Sequence, residues 1–343
     1  MPTMRDIAKQ VGVCRYTVSK VLNGDSSVRK DVREHVLAAC QALGYVPNPH
    51  AVSLVRGHSR AIGMLVSRIT DSFYGEVIEA AEKEAKAQDF QLTFACTYNQ
   101  PDLERDLLQH FHSQRVVGVI AAPVVSQDNA DLWASLARNT PVVYFDRYLS
   151  HQSHYVINDN EDSARTLTEH LLAVGATPAY LGSAQSTTNV AIRGRERGYR
   201  KAMQARSLEP HLLTLNRHLD ANDSLAFGYE NIRAHLAHTA PPNGLICVTD
   251  EVALGAMHAL YEHGLQPGRD VAVAGHDDLS FAAHVNPTLT SISQPKNEMG
   301  TLAVRTLIRL LQSASKIGYI HQKLKSRLVL RDSTLMFGSA ARH

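Results

Sequence analysis

The chain of 343 residues is 44% hydrophobic and has a formal net charge of +2. This length allows two or three domains that each bury a core, and the balanced composition excludes a disordered or fibrous chain. The four cysteines are too widely scattered for a zinc or redox pair. The sequence shows neither a leader-type N-terminus nor an apolar run of about 18 residues. We therefore expect a soluble, cytoplasmic protein with no metal and no cofactor.

The charge is unevenly distributed along the chain. Residues 1–60 carry nine Lys or Arg against four Asp or Glu, whereas the rest of the chain carries 26 against 29. A basic segment suits a polyanion, because contacts to phosphates release counterions and supply sequence-independent affinity for DNA. A solvated protein surface can carry the same excess. The charge excess alone therefore does not distinguish a DNA-binding segment from a solvated surface, and the order of the residues has to do so.

The first predicted elements are two short helices joined by a tight turn. Thr3 is a suitable N-cap, Asp6 lies in the first turn, and Gly12 permits the positive φ that ends a helix. Val18 and Val21 supply the apolar side of the second helix. The arrangement predicts a helix-turn-helix, whose second helix presents its outer face to the major groove of DNA.

The outer face of the second helix carries the candidate DNA contacts. The side chains predicted to read base edges are Arg15, Tyr16 and Lys20. Arginine and lysine donate to guanine, and tyrosine offers a hydroxyl and a ring edge to thymine. The side chains predicted to position phosphates are Thr17, Ser19 and Asn23.

A third helix is predicted from Lys30 to Leu43, with its end at Gly44. Val36, Leu37 and Cys40 are predicted on its buried side. This helix would close a small three-helix core.

A short helix is predicted at the domain junction, with Asn48 as N-cap and Pro49 as first residue. The order AKxxGVxxxTVSxVLN, then GYxPN and a hinge ending in leucine, resembles the lactose/galactose-repressor family of bacterial transcriptional regulators. The resemblance implies that Leu54 wedges between base pairs in the minor groove; interdomain packing is the alternative. Cys14 and Arg29 stand where the family usually has small hydroxyl residues, which cap helices and contact phosphates. The resemblance therefore does not decide whether these two positions contact phosphates in this protein.

Beyond the hinge, β-rich runs alternate with helical stretches. The predicted strands are 61–66, 90–95, 116–121, 141–145, 179–182, 244–248, 271–275 and 327–330. Continuous apolar strands separated by helices indicate parallel sheets that are covered on both faces. The sequence therefore predicts an all-α helix-turn-helix head and an α/β body of two similar lobes, which the resemblance makes periplasmic-binding-protein-like.

The resemblance also implies domain boundaries and three crossings between the lobes. The head is expected over 1–46, the hinge over 47–58 and the effector-binding and dimerisation body over 59–343. Within the body, the N-lobe is expected over about 59–159 and 295–318, and the C-lobe over about 160–292 and 319–343.

Loops that follow the strands are the candidate ligand contacts, because ligands of open α/β sheets bind beyond the carboxyl ends of the strands. The predicted contacts are Asp71, Phe73, Asp146, Arg195, Asp250 and Asp277. Arg195 and Asp277 match the most recurrent effector contacts of the family, with an interlobe ion pair as the alternative. Asp250 could instead cap a helix. Carboxylates and a guanidinium around an aromatic face suit a sugar or sugar derivative, whose hydroxyls both donate and accept.

Other functions fit the sequence less well. A periplasmic sugar-binding protein would share the body but not the basic head. An enzyme would need a motif such as GxSxG, HExxH or GxxxxGK[ST], none of which occurs. His235 and His238 share a helix face, but no third metal ligand is evident.

The resemblance therefore implies a repressor that binds a near-palindromic DNA operator and responds to a small effector. The C-terminal segment has no apolar heptads for a tetramerising bundle, so a homodimer is expected. Whether the effector acts as inducer or corepressor stays open.

Overall fold

The computed structural model describes residues 2–22, 24–45, 60–126, 128–182, 189–213, 223–313, 315 and 317–337. The chain divides into two compact units, residues 1–60 and residues 61–343. The predicted hinge at 47–58, with its Leu54, and the predicted phosphate contact Asn23 lie outside the described residues. Their roles stay predictions.

The described part of the first unit contains the helices α1 (Met4–Val11), α2 (Arg15–Leu22) and α3 (Lys30–Leu43). The carboxylate of Asp6 accepts hydrogen bonds from the backbone N–H and the hydroxyl of Thr3, both at 2.8 Å. Gly12 has a φ of 72° and ends α1 in the left-handed region, which glycine adopts at little cost. The predicted helix-turn-helix and third helix are confirmed.

The core of this unit is small and apolar. Ile7, Val18 and Val36 are fully buried and come from the three helices in turn. The prediction that Leu37 faces the core is wrong, because 46% of it is exposed. Successive helix residues are about 100° apart, so the stripe through Val36 and Cys40 turns Leu37 outward.

The second unit alternates strands and helices. Its strands are β1 (Ala61–Val66), β2 (Gln91–Cys96), β3 (Gly118–Ala121), β4 (Val142–Phe145), β5 (His154–Asn158), β6 (Pro178–Leu181), β7 (His211–Leu212), β8 (Gly244–Cys247), β9 (Ala272–His276), β10 (Thr290–Ser293), β11 (His321–Leu324) and β12 (Arg327–Val329). Its helices are α4 (Ser72–Ala87), α5 (Pro101–Ser113), α6 (Ala130–Asn139), α7 (Asn160–Ala173), α8 (Val190–Ala205), α9 (Ser224–Leu236), α10 (Asp250–Glu262), α11 (Lys296–Gln312) and α12 (Asp332–Leu335).

The described strands form two six-stranded sheets, one in each lobe. The order is β11-β5-β4-β3-β1-β2 in the N-lobe and β12-β10-β9-β8-β6-β7 in the C-lobe. Neighbouring strands run parallel, except that β10 and β12 are antiparallel. Met64 and Leu65 of β1 pack into separate apolar clusters on opposite faces of the N-lobe sheet. The predicted pair of α/β lobes with parallel sheets is confirmed.

The predicted start of the last C-lobe segment, at residue 319, is wrong. β11 pairs in parallel with β5, with His321 opposite Tyr155, and so belongs to the N-lobe sheet. The third crossing therefore lies at residues 325–326, between β11 and β12. The sequence HQKL of β11 is polar because the strand lies at the edge of its sheet and buries only Leu324. Such a pattern gives no apolar signal for a strand.

Glycines let the helices that border the cleft approach one another closely. A Cβ atom on Gly300 of α11 would lie 2.3 Å from the carbonyl oxygen of Val77 in α4. A Cβ atom on Gly198 of α8 would lie 2.1 Å from the carbonyl oxygen of Glu161 in α7. These contacts fix α4 against α11 in the N-lobe and α7 against α8 in the C-lobe.

Candidate ligand cleft and nucleic-acid interface

A cavity of about 130 Å³ lies between the two lobes. Ser67 and Asp146, which line it, directly follow β1 and β4; Val248 and Asp277, on the opposite wall, directly follow β8 and β9. The cavity therefore lies at the carboxyl ends of parallel strands, where ligands of this architecture bind. The predicted contacts found in its wall are Asp71, Phe73, Asp146, Arg195 and Asp277.

Asp250 does not line the cavity, although the sequence predicts a ligand contact there. Its fully buried carboxylate accepts hydrogen bonds from the Ser291 hydroxyl at 2.6 Å and the Leu279 N–H at 2.7 Å. Burial, and after it the charge of Asp277, raises the pKa of Asp250 to about 7. Thr249, one residue earlier, lines the cavity and caps α10 in its place. Asp250 therefore ties α10 to β10 and to the loop after β9 from within the lobe.

The N-lobe wall is a buried network around Arg147. Its Nε donates to the carbonyl of Pro123 at 2.7 Å, and its Nη2 donates to Asn99 Oδ1 at 3.1 Å. Its Nη1 donates to the hydroxyl of Tyr74 at 3.3 Å, and that hydroxyl donates to Asp146 Oδ2 at 2.9 Å. Burial raises the pKa of Tyr74, so its phenol stays protonated and keeps donating. The Asp146 carboxylate is thus aimed at the cavity by neighbours that are themselves held.

The C-lobe wall is built around Arg195 of α8, which is 6% exposed. Its Nε donates to Asn160 Oδ1 at 2.9 Å and its Nη1 to the carbonyl of Val248 at 2.6 Å. Its Nη2 lies 3.4 Å from Asp277 Oδ1. Both partners of this ion pair belong to the C-lobe, so the predicted interlobe alternative is wrong. The pair instead holds Asp277 in the cavity wall.

Asp277 is further held by Gln294, which lies in the second crossing between the lobes. Gln294 Nε2 donates to Asp277 Oδ1 at 2.5 Å, whereas Gln294 Oε1 is buried with no hydrogen-bond partner among the described residues. Burial alone would raise the pKa of Asp277, but the Arg195 guanidinium and the bonds from His276 and Gln294 hold it below its usual value. The wall therefore offers one fixed carboxylate and one open acceptor.

His276, the last residue of β9, lies beside Asp277 and is fully enclosed by the C-lobe. Its Nε2 lies 3.0 Å from the hydroxyl of Ser163, and its Nδ1 lies 3.1 Å from Asp277 Oδ1. Burial, and then the nearby Arg195, lowers its pKa to about 4. The imidazole is consequently neutral near pH 7 and acts as a hydrogen-bonding support for Asp277.

Asp71 brings a titratable carboxylate to the opposite wall. It caps α4, where its Oδ1 accepts from the N–H of Phe73 at 2.9 Å. Burial, followed by the charges of Asp277 and Glu251 across the cleft, raises the pKa of Asp71 to about 7. Asp146 adds to this effect from its own lobe. Carboxylates of both lobes therefore crowd around one cavity.

Strained backbone recurs at the cavity wall. Asn99, Asp146 and Asp277 have φ values of 56°, 61° and 114°, in the region that residues with a side chain rarely adopt. Such conformations cost of order 1–3 kcal/mol each and persist where surrounding contacts hold them, often at ligand sites. Here they turn three polar side chains toward the same space.

Sequence reasoning missed a further group of cavity residues, namely Ser67, Tyr74, Asn99, Arg147, Asn189, Ser224, Phe227 and Gln294. Tyr74 and Arg147 are chain neighbours of predicted contacts. Gln294 directly follows β10, a strand that the sequence does not predict. Applying the strand-end rule at every predicted strand would have found Ser67 but not Gln294, and the aromatic Phe227 lies within α9 and carries no such signal.

The second possible interface is the outer face of α2. Tyr16 is 70% exposed and Arg15 is exposed, whereas Thr17, Ser19 and Lys20 are half-buried. Val18 and Val21 face the core, as predicted. The predicted base-reading and phosphate-positioning side chains of α2 therefore share the accessible side of this helix.

Lys20 already has partners in the absence of DNA. Its Nζ donates to the Ser27 hydroxyl at 3.1 Å, lies 3.4 Å from Asp25 Oδ2 and stands 5.3 Å from the centre of the Tyr16 ring. Hydrogen bonds from Ser27, and in smaller part from Lys20, lower the pKa of Asp25 to about 2. Lys20 is therefore already paired with an acidic neighbour on the accessible side of α2.

The two positions that depart from the family resemblance make local contacts. Cys14 Sγ lies 3.2 Å from Thr17 Oγ1, which lowers the pKa of the exposed Cys14 thiol. Arg29 precedes α3 and pairs with Asp31 in the first turn of that helix. Arg29 makes no side-chain capping bond, whereas the backbone N–H groups of Tyr16 and Thr17, at the start of α2, also lower the pKa of Cys14, as they do for a side chain at a helix N-cap.

The described ranges of the chain also bear on membrane spanning and metal binding. No helix there is long and apolar enough to cross a membrane. No group of three or more His, Cys, Asp or Glu side chains there could hold a metal ion.

Comparisons with known proteins cover both units. Residues 3–48 match the bacterial regulatory proteins of the lacI family, and residues 168–334 match the periplasmic binding protein-like domain. The ribose operon repressor of Haemophilus influenzae is 30% identical over 336 residues, 97% of this chain and 98% of that protein. The transcriptional repressor PurR of Haemophilus influenzae strain PittEE is 32% identical over 313 residues, 90% of each chain.

Among solved structures, the chain resembles the Lac repressor dimer bound to operator and the anti-inducer ONPF. The TM-score is 0.85 at 29% identity, over 97% of this chain and 99% of that one. These relatives are repressors and not enzymes. A matched head and 30% identity along nearly the whole of a curated relative show that the chain belongs to the lacI family of DNA-binding transcriptional repressors.

Proposed function

We propose that the protein represses a carbohydrate-utilisation operon and that a sugar or sugar derivative, bound between the lobes, tunes its hold on a near-palindromic operator. The observation that carries the proposal is the crowding of carboxylates around the cavity, where Asp71 and Asp277 face each other across the cleft. A ligand rich in hydroxyl donors relieves this crowding, because each hydroxyl can donate to a carboxylate.

The same charges disfavour an anionic ligand. Arg147 and Arg195 are the arginines of the cavity wall, and each of their guanidinium nitrogens already donates to a protein acceptor. A phosphate would therefore meet carboxylates, and the arginines beside it are already engaged by the protein. An unphosphorylated ligand fits the wall better.

Gln294 adds an unpaired acceptor to the wall of the cleft. Gln294 Oε1 is buried without a partner among the described residues, and leaving such an atom unpaired costs about 1–3 kcal/mol. A ligand hydroxyl that donates to it recovers this cost. Phe73 and Phe227 provide apolar surface for the carbon side of a sugar ring.

The size of the cavity favours a monosaccharide. A space of about 130 Å³ holds roughly ten water-sized groups at about 10–15 Å³ each. A pentose has a similar number of heavy atoms. Since one relative is named ribose operon repressor, D-ribose is the first ligand to test.

The head supplies the DNA contacts in this proposal. Arg15, Tyr16 and Lys20 read base edges in the major groove, Thr17, Ser19 and Asn23 position phosphates, and Leu54 wedges into the minor groove. Support comes from the exposure of the α2 face and from the excess of basic residues in this unit.

A homodimer would place two heads on the two half-sites of the operator. The Lac repressor that this chain resembles is a dimer, and edge strand β2 leaves Phe94 42% exposed. Because DNA is its partner, we propose that the protein works in the cytoplasm, at the nucleoid. Effector and operator must alter each other's affinity by the same factor, whichever sign the effect has.

A thermal-shift screen of the full chain tests the ligand class. Ligands for the screen are D-ribose, sucrose, D-ribose 5-phosphate and a purine base. A bound sugar at about 100 times its Kd raises the melting temperature of the body by roughly 5–10 °C, whereas D-ribose 5-phosphate has little effect. A response to the purine base alone would overturn the sugar proposal.

A further inference from the structure

Lys296, the first residue of α11, is a buried cation outside the wall of the effector cavity. It is 6% exposed and follows the second crossing between the lobes. Its Nζ donates to the carbonyl oxygens of Asp277 at 3.1 Å and Asp278 at 3.3 Å, and lies 2.6 Å from Glu76 Oε1. A lysine ammonium has three N–H donors, and these three acceptors match them.

The partners of Lys296 come from opposite lobes. Asp277 and Asp278 follow β9 of the C-lobe, whereas Glu76 lies in α4 of the N-lobe. The first turn of α4 also carries Phe73, which lines the effector cavity. One ammonium group therefore joins the two segments that face each other across the cleft. The link exists only while the lobes keep this separation.

The backbone at Asp277 and Asp278 makes the link specific. Their φ values of 114° and 50° are both in the left-handed region, and this turn directs two consecutive carbonyl oxygens to Lys296. The side chain of Asp277 meanwhile points into the cavity and accepts from Gln294. Two residues at the second crossing thus hold Asp277. Gln294 bonds to its carboxylate, and Lys296 bonds to its carbonyl oxygen.

We propose that Lys296 and Glu76 form an interlobe latch, which holds Asp277 in its ligand-binding position and keeps the lobes close before the effector arrives. Lys296 is a positioning residue, since it acts through Asp277 and does not line the cavity. The inference rests on the proposed function in taking Asp277 as an effector contact. Without the latch, the effector itself has to hold the lobes together, and its affinity falls although no contact to it is lost.

Glu76→Ala is the primary test variant, because the Glu76 side chain is 41% exposed and its loss leaves the core of α4 intact. Glu79→Ala is the matched control: Glu79 lies on the same helix and pairs with Lys83 at 2.5 Å, within one lobe. With D-ribose as the test ligand, we expect Glu76→Ala to raise the Kd by about 5- to 150-fold, the usual range of coupling between sites. The control keeps the wild-type Kd.

A double-mutant cycle separates a latch from two independent contributions. Lys296→Met combined with Glu76→Ala should bind the ligand no more weakly than Lys296→Met alone, because each single change already breaks the link. Additive losses in Kd would contradict the latch. Lys296→Arg should recover part of the affinity, since a guanidinium can still reach Glu76.

A readout without ligand keeps the latch distinguishable from the sugar proposal. The N–H of Asp277 bonds to the carbonyl of Ile292 at 2.9 Å, and that of Asp278 bonds to the Ser291 hydroxyl at 3.1 Å. Hydrogen exchange at these two amides should become faster in Glu76→Ala and stay unchanged in Glu79→Ala. If D-ribose fails to bind the wild type, the ligand assignment is wrong. Hydrogen exchange at these two amides then tests by itself whether Lys296 and Glu76 form a latch. Unchanged exchange in Glu76→Ala would overturn it.

Discussion

The outer face of α2 and the interlobe cleft are built in opposite ways. Tyr16, on the outer face of α2, is 70% exposed, and Arg15 beside it is also exposed. In the cleft, Arg195 and Asp277 are 6% and 7% exposed, and every bond that holds them comes from another buried group. One surface is accessible from outside, and the other is fixed in place by contacts within the protein.

Because of this difference, we expect side chains on the outer face of α2 to contribute to binding alone. Side chains of the cleft wall should contribute to both binding and folding stability. An exposed side chain can be removed without leaving a buried partner unsatisfied, so its loss should change affinity alone. A buried, networked side chain leaves unpaired groups behind, so its loss should change both stability and affinity. Substitutions in each region test the contrast.

The largest effect is expected for Arg195→Met. Removing the guanidinium leaves Asp277 buried without its cation, which should lower the free energy of unfolding by about 3–5 kcal/mol and abolish ligand binding. Denaturant unfolding measures the loss. Arg197→Met, on the same helix but paired with Glu161 at the surface, should cost less than about 1 kcal/mol. Equal losses for the two variants would mean that the Arg195 network is not what stabilises the wall.

Arg15→Ala should weaken operator binding without changing the melting temperature. Loss of a base-reading arginine typically costs about 10- to 100-fold in specific affinity. Titration of labelled operator measures this, and Lys83→Ala in the body, which removes an exposed lysine far along the chain, serves as the control. A parallel drop in melting temperature would show that Arg15 has a structural role instead.

Asp71→Asn should flatten the pH dependence of stability. The pKa of Asp71 is about 7 in the folded protein and about 3.8 in an ordinary environment. Between these values the folded state binds the extra proton, so stability falls as pH rises, by up to about 1.4 kcal/mol per pH unit, and levels off above pH 7. Melting curves from pH 5 to 8 measure the slope. Asp250 contributes equally in both proteins, so an unchanged slope in Asp71→Asn would refute the shift at Asp71.

The smallest effect is expected for Asp25→Asn. The substitution removes a negative charge beside Lys20, so the proposed DNA-binding face gains one net positive charge against the phosphates. The slope of log K against log[salt] for DNA binding should then steepen by about 0.9. The measurement is a salt titration with operator and with unrelated DNA. A slope identical to that of the wild type would indicate that Lys20 and Asp25 do not lie near the DNA.

The three-helix head could be predicted almost completely, because caps, glycine stops and apolar spacing are local signals. α3 was predicted with its observed bounds, Lys30–Leu43. The prediction that Leu37 is buried was wrong because, in the sequence, an apolar residue beside the buried stripe looks the same as one within it. Its exposure depends on where the other helices pack.

The body was predictable where strands are apolar and became uncertain at polar edges and at tertiary contacts. β11 was assigned to the wrong lobe because its residues are mostly polar. Arg195 and Asp277 were found through a family resemblance, whereas Gln294 follows a strand that was missed. The sequence predicts Asp250 as a cavity residue, but its neighbour Thr249 lines the cavity instead. A strand-end rule does not say which of two consecutive side chains faces the cleft. The interlobe contacts of Lys296 join distant segments and leave no local trace.

The measurement that tests the account most directly is a thermodynamic cycle between ligand and operator. Operator affinity is measured with and without saturating D-ribose, and D-ribose affinity is measured with and without saturating operator. The account predicts that both affinities change by the same factor, about 5- to 150-fold, in one direction. Operator affinity that stays the same when the cleft is occupied would contradict the proposed coupling between the cleft and the DNA-binding head.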